Sequence, residues 1–133
     1  MITDFRLDAQ FRGMLWVMAG RGTLSEQAFF VLTALAGEPL HGYAILRVVG
    51  ELSDGHVRMQ VGTLYGILER LAQDDLIAPV RQETVAGRLR RYYGLTERGR
   101  QTLAEDAARQ AANAAAATAR LARMGLRAWG ASN

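Results

Sequence analysis

Apolar residues recur at three- and four-residue steps between Val61 and Gln73, a spacing that predicts a helix with one buried face. The residues of this apolar stripe are Val61, Leu64, Leu68 and Leu71. The opposite side carries small or hydrogen-bonding residues, namely Thr63, Gly66, Arg70 and Gln73. A DNA major groove admits a helix and offers acceptors to such side chains. A solvated outer face explains the same pattern, so the stripe alone does not choose between the two.

Two more helices are predicted before this segment. Thr23-Leu24-Ser25-Glu26 has a capping-box arrangement, which predicts a helix from Thr23 to about Ala36, ended by Gly37 and Pro39. A second helix is predicted from about His41 to Leu52. The positions expected to be buried in these helices are Leu24, Ala28, Val31, Leu32, Leu35, Ala44, Ile45, Val48, Val49 and Leu52. Three such helices with short connections outline a helix-turn-helix.

Two strands are predicted after the third helix, from Leu76 to Gln82 and from Leu89 to Leu95. The link over residues 83–88 contains a glycine, which a hairpin commonly requires. A β-hairpin directly behind a helix-turn-helix is the arrangement called a winged helix. Because a strand alternates its faces, one of Tyr92 and Tyr93 should pack on the core and the other point outward, and the pattern does not decide which.

Positive charge is concentrated on this hairpin and just behind it. Glu97 is the one acidic residue in the interval 88–100, which holds five arginines: Arg88, Arg90, Arg91, Arg98 and Arg100. Cations at a surface bind DNA by releasing counterions from its backbone, whereas a solvated charged hairpin is the alternative. The whole chain carries a net charge of +3, which permits a polyanionic partner without requiring one.

The last third of the chain is predicted to form one long helix from Thr96, its cap, to about Trp129. Its apolar positions alternate four- and three-residue steps, the spacing of a coiled-coil seam: Leu103, Ala107, Gln110, Ala114, Ala117, Leu121, Met124 and Ala128. Alanine favours helix but buries little area, so close packing on a second chain would stabilise this helix. Residues 1–22 have the spacing of a short amphipathic arm.

Three motifs then resemble the PadR family of bacterial transcriptional regulators: Pro39-Leu40-His41-Gly42-Tyr43, Gly62-Thr63-Leu64-Tyr65 and Tyr92-Tyr93-Gly94-Leu95-Thr96. The resemblance covers residues 23–100, and many members have proline where this chain has Gly66. It implies a mainly α (α+β) fold with a winged helix-turn-helix domain over 23–100 and a dimerisation helix and tail over 101–133. It also implies a homodimeric repressor that binds an operator and releases it when a small molecule binds.

The resemblance further implies roles for particular residues. DNA contacts are expected from His41, Tyr43, Thr63, Tyr65, Gly66, Arg70, Arg88, Arg90 and Arg91. Dimer contacts are expected from Leu103, Ala107, Ala114, Leu121 and Met124. A small aromatic effector would bind near Trp16, Trp129 and Phe11, although interface packing explains these aromatic residues more simply. Because one helix reads few base pairs, the expected operator is an inverted repeat.

The remaining composition narrows the function classes. The chain has no cysteine and two histidines, so it offers no thiolate and no zinc finger, and neither a metal nor a cofactor is expected. No combination of nucleophile, base and orienting residue suggests an enzyme. The longest apolar run, Met14 to Ala19, is too short to cross a bilayer, and a cytoplasmic protein is expected. The alternative function is a winged-helix protein-interaction module without specific DNA binding.

Overall fold

The computed structural model describes residues 24–125 of the 133-residue chain. The predicted arm over 1–22, with Phe11 and Trp16, and the C-terminal Trp129 lie outside these residues. The described part of the chain divides into two units, residues 24–103 and residues 104–125. The elements, in order, are α1 (Glu26–Leu35), α2 (Gly42–Leu52), α3 (Val61–Gln73), β1 (Ile77–Val85), β2 (Arg88–Leu95) and α4 (Glu97–Arg123). The predicted fold class, three helices, a hairpin and a long last helix, is therefore confirmed.

The helix starts agree with the sequence signals except at α1. Ser25 is the N-cap there, and its Oγ accepts a hydrogen bond from the Ala28 backbone amide at 3.1 Å. The capping box predicted from Thr23 is therefore wrong, because Glu26 is the first helical residue and not the third. The other starts lie within one residue of the prediction, and α3 has the predicted bounds.

The core lies between the three short helices and the base of the hairpin. Its large, fully buried apolar side chains are Val31, Leu32, Ile45, Val49, Leu64, Leu68, Leu71 and Ile77. Two predicted core residues are exposed instead: Leu52 by 48% and Val61 by 38%. Leu52 is the last residue of α2, and Val61 is the first residue of α3. The apolar spacing extends to these helix ends, where neighbouring elements no longer cover the side chains. The predicted stripe of α3 is confirmed at its other three positions.

The hairpin turns through two residues that both have positive φ, Ala86 at 53° and Gly87 at 78°. Such a turn matches the twist of antiparallel strands and favours glycine at its second position. Pairing runs from Ile77 with Leu95 to Val85 with Arg88. The strand β1 therefore ends three residues beyond Gln82, its predicted end. The two strands, which form the wing, therefore pair nearly up to the turn, with one register shift between Pro79 and Arg81.

Two sets of hydrogen bonds hold this hairpin and the first turn of α4 in place. Leu40 and Tyr93 exchange both backbone hydrogen bonds, at 3.0 and 2.9 Å, which fixes the chain before α2 beside β2. Thr96 Oγ1 accepts from the Gly99 amide at 2.9 Å and donates to the Asp75 carbonyl at 2.7 Å. Thr96 is thus the predicted helix cap, and it also ties the first turn of α4 to the turn after α3.

No helix in residues 24–125 is long and apolar enough to span a membrane.

Candidate nucleic-acid interface

The outward side of α3 combines polar side chains with bare backbone. Thr63, Gly66 and Arg70 are exposed, on the side opposite the buried leucines. A Cβ built at Gly62 or Gly66 would meet no atom within 4 Å. Neither glycine has the positive φ that would require it, and glycine weakens a helix by about 1 kcal/mol relative to alanine. The fold therefore does not require glycine at these two positions. The missing side chains leave the backbone of α3 open to close approach by a binding partner.

Tyr65 has both a packing position and an exposed surface. A Cβ at Gly42 would lie 2.7 Å from the Tyr65 hydroxyl oxygen, so the tyrosine ring covers the first turn of α2. The Tyr65 side chain is nevertheless 49% exposed, and Tyr43 on the next position of α2 is 64% exposed. The starts of α2 and α3 therefore lie side by side, with two phenol groups at the surface beside the polar face of α3.

The three arginines of the wing do not share one face. Strand alternation places Arg88 and Arg90 on the face of Tyr92, and Arg91 on the opposite face. Arg88 and Arg91 are exposed, whereas Arg90 is half-buried and pairs in register with Glu83. The sequence supports their common location on the wing, but their division between faces follows from the strand pairing.

Arg81 was not among the predicted site residues, but it belongs to the same face as Arg88 and Arg90. It pairs in register with Tyr92, and its guanidinium carbon lies 3.9 Å from the centroid of the Tyr92 ring. Arg81 also lies 3.7 Å from Glu83 in an exposed ion pair. The predicted first strand included Arg81, but grouping it with Arg90 requires the register between the two strands, which the sequence pattern does not give.

The two hairpin tyrosines have different surroundings, and neither is freely exposed. Tyr93 packs against the hydrophobic core and pairs with Leu40. Tyr92 lies on the other face, yet only 9% of it is exposed. The His41 ring meets it edge-on at 5.2 Å, and Arg81 covers its face. Tyr93 is therefore the tyrosine that packs on the core, and Tyr92 lies on the opposite face, where charged and aromatic neighbours cover it.

His41 occupies the N-cap position of α2 without a capping hydrogen bond from its side chain. Burial lowers the pKa of His41 below its ordinary value of 6.5, and the positive charges of Arg90 and Arg47 lower it further, while Glu83 acts in the opposite direction. Arg47 was not among the residues expected at the site. His41 therefore lies where α2 and the hairpin bring several charges together.

Over residues 104–125, the last helix presents its predicted seam at the surface. Ala107, Ala114 and Ala117 are exposed, as are Leu121 by 48% and Met124 by 73%. Leu103, at the end of the first unit, packs partly against the core of the short helices. Asp106 is buried and bonded to Arg109 and Gln110 on its own helix, an arrangement that sequence reasoning did not anticipate.

A helix-turn-helix followed by a hairpin fixed beside it, with exposed arginines on that hairpin, is a winged helix-turn-helix domain, a class of DNA-binding fold. The model of the transcriptional regulator PadR-like family matches residues 31–105. The chain belongs to this family, which confirms the resemblance inferred from the three motifs. The family is one of transcriptional regulators and not of enzymes.

Other proteins are similar to this chain in sequence or in fold. An uncharacterised 37.1 kDa protein of a Streptomyces fradiae transposon is 41% identical over 83 residues, covering 62% of this chain and 22% of that protein. The chain thus spans about a fifth of that relative's length. A PadR family regulator from Eggerthella lenta is 24% identical, with a TM-score of 0.60 and coverage of 89% and 97%.

A Bacillus subtilis PadR structure, solved in complex with operator DNA, is also similar in fold. It is 22% identical, with a TM-score of 0.54, and the match covers 60% of this chain and 45% of that one. At such identities the two structures share the fold, and residue roles have to be argued from this chain itself.

Proposed function

We propose that this chain is a sequence-specific DNA-binding repressor that acts as a homodimer on an inverted-repeat operator. The observation that carries the proposal is the exposed, polar and partly bare face of α3 beside a wing that bears exposed arginines. In this proposal α3 enters the major groove and the wing contacts the neighbouring backbone or minor groove. The DNA complex of the Bacillus subtilis relative supports this use of the fold.

Each residue of the face has a chemical role in the proposal. Arg70 can donate two hydrogen bonds to a guanine, and Thr63 can contact either a base edge or a thymine methyl group. Gly66 lets the helix backbone approach the groove floor. Tyr43 and Tyr65 would contact backbone phosphates through their hydroxyl groups. Substitutions at Thr63 or Arg70 should then alter which DNA sequence is preferred, whereas substitutions on the wing should weaken binding to all sequences.

Gly66→Ala tests whether the bare face of α3 meets DNA. The added methyl group occupies open space in the free chain, so the free energy of unfolding should rise by roughly 0.5–1 kcal/mol. If DNA fills that space, affinity should fall by about tenfold, the equivalent of about 1.4 kcal/mol. The measurement is the dissociation constant for a duplex that the native protein has selected from a random pool.

Gly50→Ala is the matched control, because a Cβ at Gly50 in α2 also meets no atom within 4 Å. It should raise stability by a similar amount and leave affinity unchanged. Equal affinities for the Gly66→Ala variant and the native chain would contradict the proposed role of this face. Failure of the native protein to select any duplex would favour the alternative, a winged helix that binds a protein partner.

The homodimer is argued from α4 and from the size of the reading surface. An exposed alanine-rich helix gains stability by close packing on a second copy, and its seam positions are spaced for that contact. Two recognition helices related by a twofold axis read half-sites about 34 to 36 Å apart or a multiple of that distance. A dimer can therefore read more base pairs than one short helix can.

Replacing Ala114 and Ala117 with glutamate tests this seam. Four carboxylates would then meet across the dimer axis, so the protein should become monomeric and lose most affinity for a two-half-site operator. Light scattering after size exclusion measures the mass of the protein in solution. The matched control replaces Ala112 and Ala119 with glutamate, because these residues lie on the opposite side of the heptad. Equal masses for the two double variants would contradict the proposed seam.

A small aromatic effector completes the proposal. The residues expected to hold it are Trp16, Trp129 and Phe11, and this part rests on the sequence and the family resemblance. Release of the operator would follow if the effector favoured a dimer geometry that separates the two recognition helices.

A further inference from the structure

The His41 side chain lies between α2 and the hairpin, and its position depends on both. Its neighbour Leu40 is tied to β2 by two backbone hydrogen bonds with Tyr93. Its ring contacts Tyr92 edge-on, with the planes at 86°. His41 is also the residue from which α2 begins. The imidazole is therefore held at the joint between the first helix of the helix-turn-helix and the wing.

Charged residues of both elements surround this joint. On the hairpin, Arg90 lies two residues before Tyr92 on the same face, Glu83 pairs with Arg90, and Arg81 covers Tyr92. On α2, Arg47 lies near enough to His41 to affect its proton affinity, and it forms an exposed ion pair with Glu51 at 3.5 Å. We define the cationic joint as His41, Arg47, Arg81 and Arg90. Its three arginines carry three positive charges, and the two carboxylates beside them, Glu51 and Glu83, carry two negative charges. The net charge of this group is therefore +1 when His41 is neutral.

This arrangement disfavours a proton on His41 in the free protein. Burial and the nearby Arg90 hold the pKa of His41 below 6.5, so the imidazole is neutral near pH 7. A phosphate placed on the joint would reverse the electrostatic part of this effect, because it adds a negative charge beside the ring and offsets the arginines. The same phosphate would accept a hydrogen bond from the protonated imidazole.

We propose that a DNA backbone phosphate docks on the cationic joint and that His41 takes up a proton from solvent when it does so. The inference rests on the proposed function, since it requires DNA on this side of α2 and the wing. DNA binding is then linked to pH, and affinity increases as the medium becomes more acidic. His41 acts as a phosphate contact whose strength depends on its charge.

The sign and size of the effect follow from linkage. Between the lowered pKa of the free chain and the higher pKa of the complex, binding takes up as much as one proton, so affinity should rise by up to about tenfold for each unit of decreasing pH. Above the pKa of the complex His41 is neutral in both states, and below the pKa of the free chain it is charged in both. Affinity should be independent of this residue's titration in those two ranges.

The experiment compares the native chain with His41→Gln and His56→Gln between pH 5.5 and 8.0 at constant ionic strength. His56 is the other histidine of the chain, is exposed and lies in the connection between α2 and α3. The probe is a duplex selected from a random pool by the native protein. The native chain and His56→Gln should show the same rise in affinity on acidification, whereas His41→Gln should have a flat profile.

Calorimetry in buffers of different ionisation enthalpy gives a second readout, the number of protons taken up on binding. It should be positive, and at most one, for the native chain between the pKa of the free chain and that of the complex, and close to zero for His41→Gln, whose fold is verified by circular dichroism. A flat native profile, or a slope that persists in His41→Gln, overturns the inference while leaving DNA binding intact. Absence of duplex binding at every pH would instead overturn the proposed function, and this inference with it.

Discussion

Replacing Arg88 and Arg90 with alanine should weaken binding to every duplex sequence by on the order of tenfold to a hundredfold and flatten its salt dependence. Both residues lie on the same face of β2, Arg88 exposed beside the turn and Arg90 at the cationic joint. Each phosphate contact that is lost reduces the slope of log affinity against log salt by about one. The measurement is duplex affinity between low and physiological salt for matched and unmatched sequences.

A second arginine pair separates local contact from total charge. Arg120 and Arg123 are exposed near the end of α4, and their replacement by alanine removes the same two positive charges. This control should retain the native salt slope. If both double variants lost affinity equally, general attraction between a basic protein and DNA would explain the result, and the wing would have no specific role.

Gly99→Ala should lower the free energy of unfolding by about 3 kcal/mol, a large loss for one methyl group. A Cβ at this position would overlap the Leu76 carbonyl oxygen and lie 3.0 Å from the carbonyl carbon. These are backbone atoms, held by the hydrogen bond from the Thr96 amide to the same carbonyl at 3.1 Å, so they cannot swing aside as a flexible side chain would. Either the first turn of α4 or the turn after α3 must shift.

Urea unfolding of Gly99→Ala and Gly50→Ala measures this cost directly. Both substitutions add one methyl group to a helical glycine, but the one at Gly50 enters open space and should raise stability by about 0.5–1 kcal/mol. The two variants should therefore shift the unfolding midpoint in opposite directions. A midpoint for Gly99→Ala equal to that of the native chain would show that the α4 junction yields without cost.

The bounds of α3, the presence of the hairpin and the cap at Thr96 were predictable, because each depends on a signal within a few residues. Leucines at helical spacing specify a buried face wherever the helix packs, and a threonine before a helical run satisfies a free amide. The start of α1 was predicted wrongly, because the capping-box spacing pointed to Thr23. The extended backbone at Ser25 and the hydrogen bond that its side chain accepts make Ser25 the N-cap.

The candidate site divides in the same way. The sequence by itself determined that α3 has one polar side and that the wing is rich in arginine, because residue identity and local period are enough for both. Only the tertiary structure decided that Arg81 joins Arg90, that Tyr92 is covered and that His41 lies among charges of the hairpin. Arg81 and Arg90 lie on two different strands, and His41 lies about fifty positions before Arg90 and Tyr92. The physical cause of these relations is strand register and tertiary packing, which no local spacing encodes.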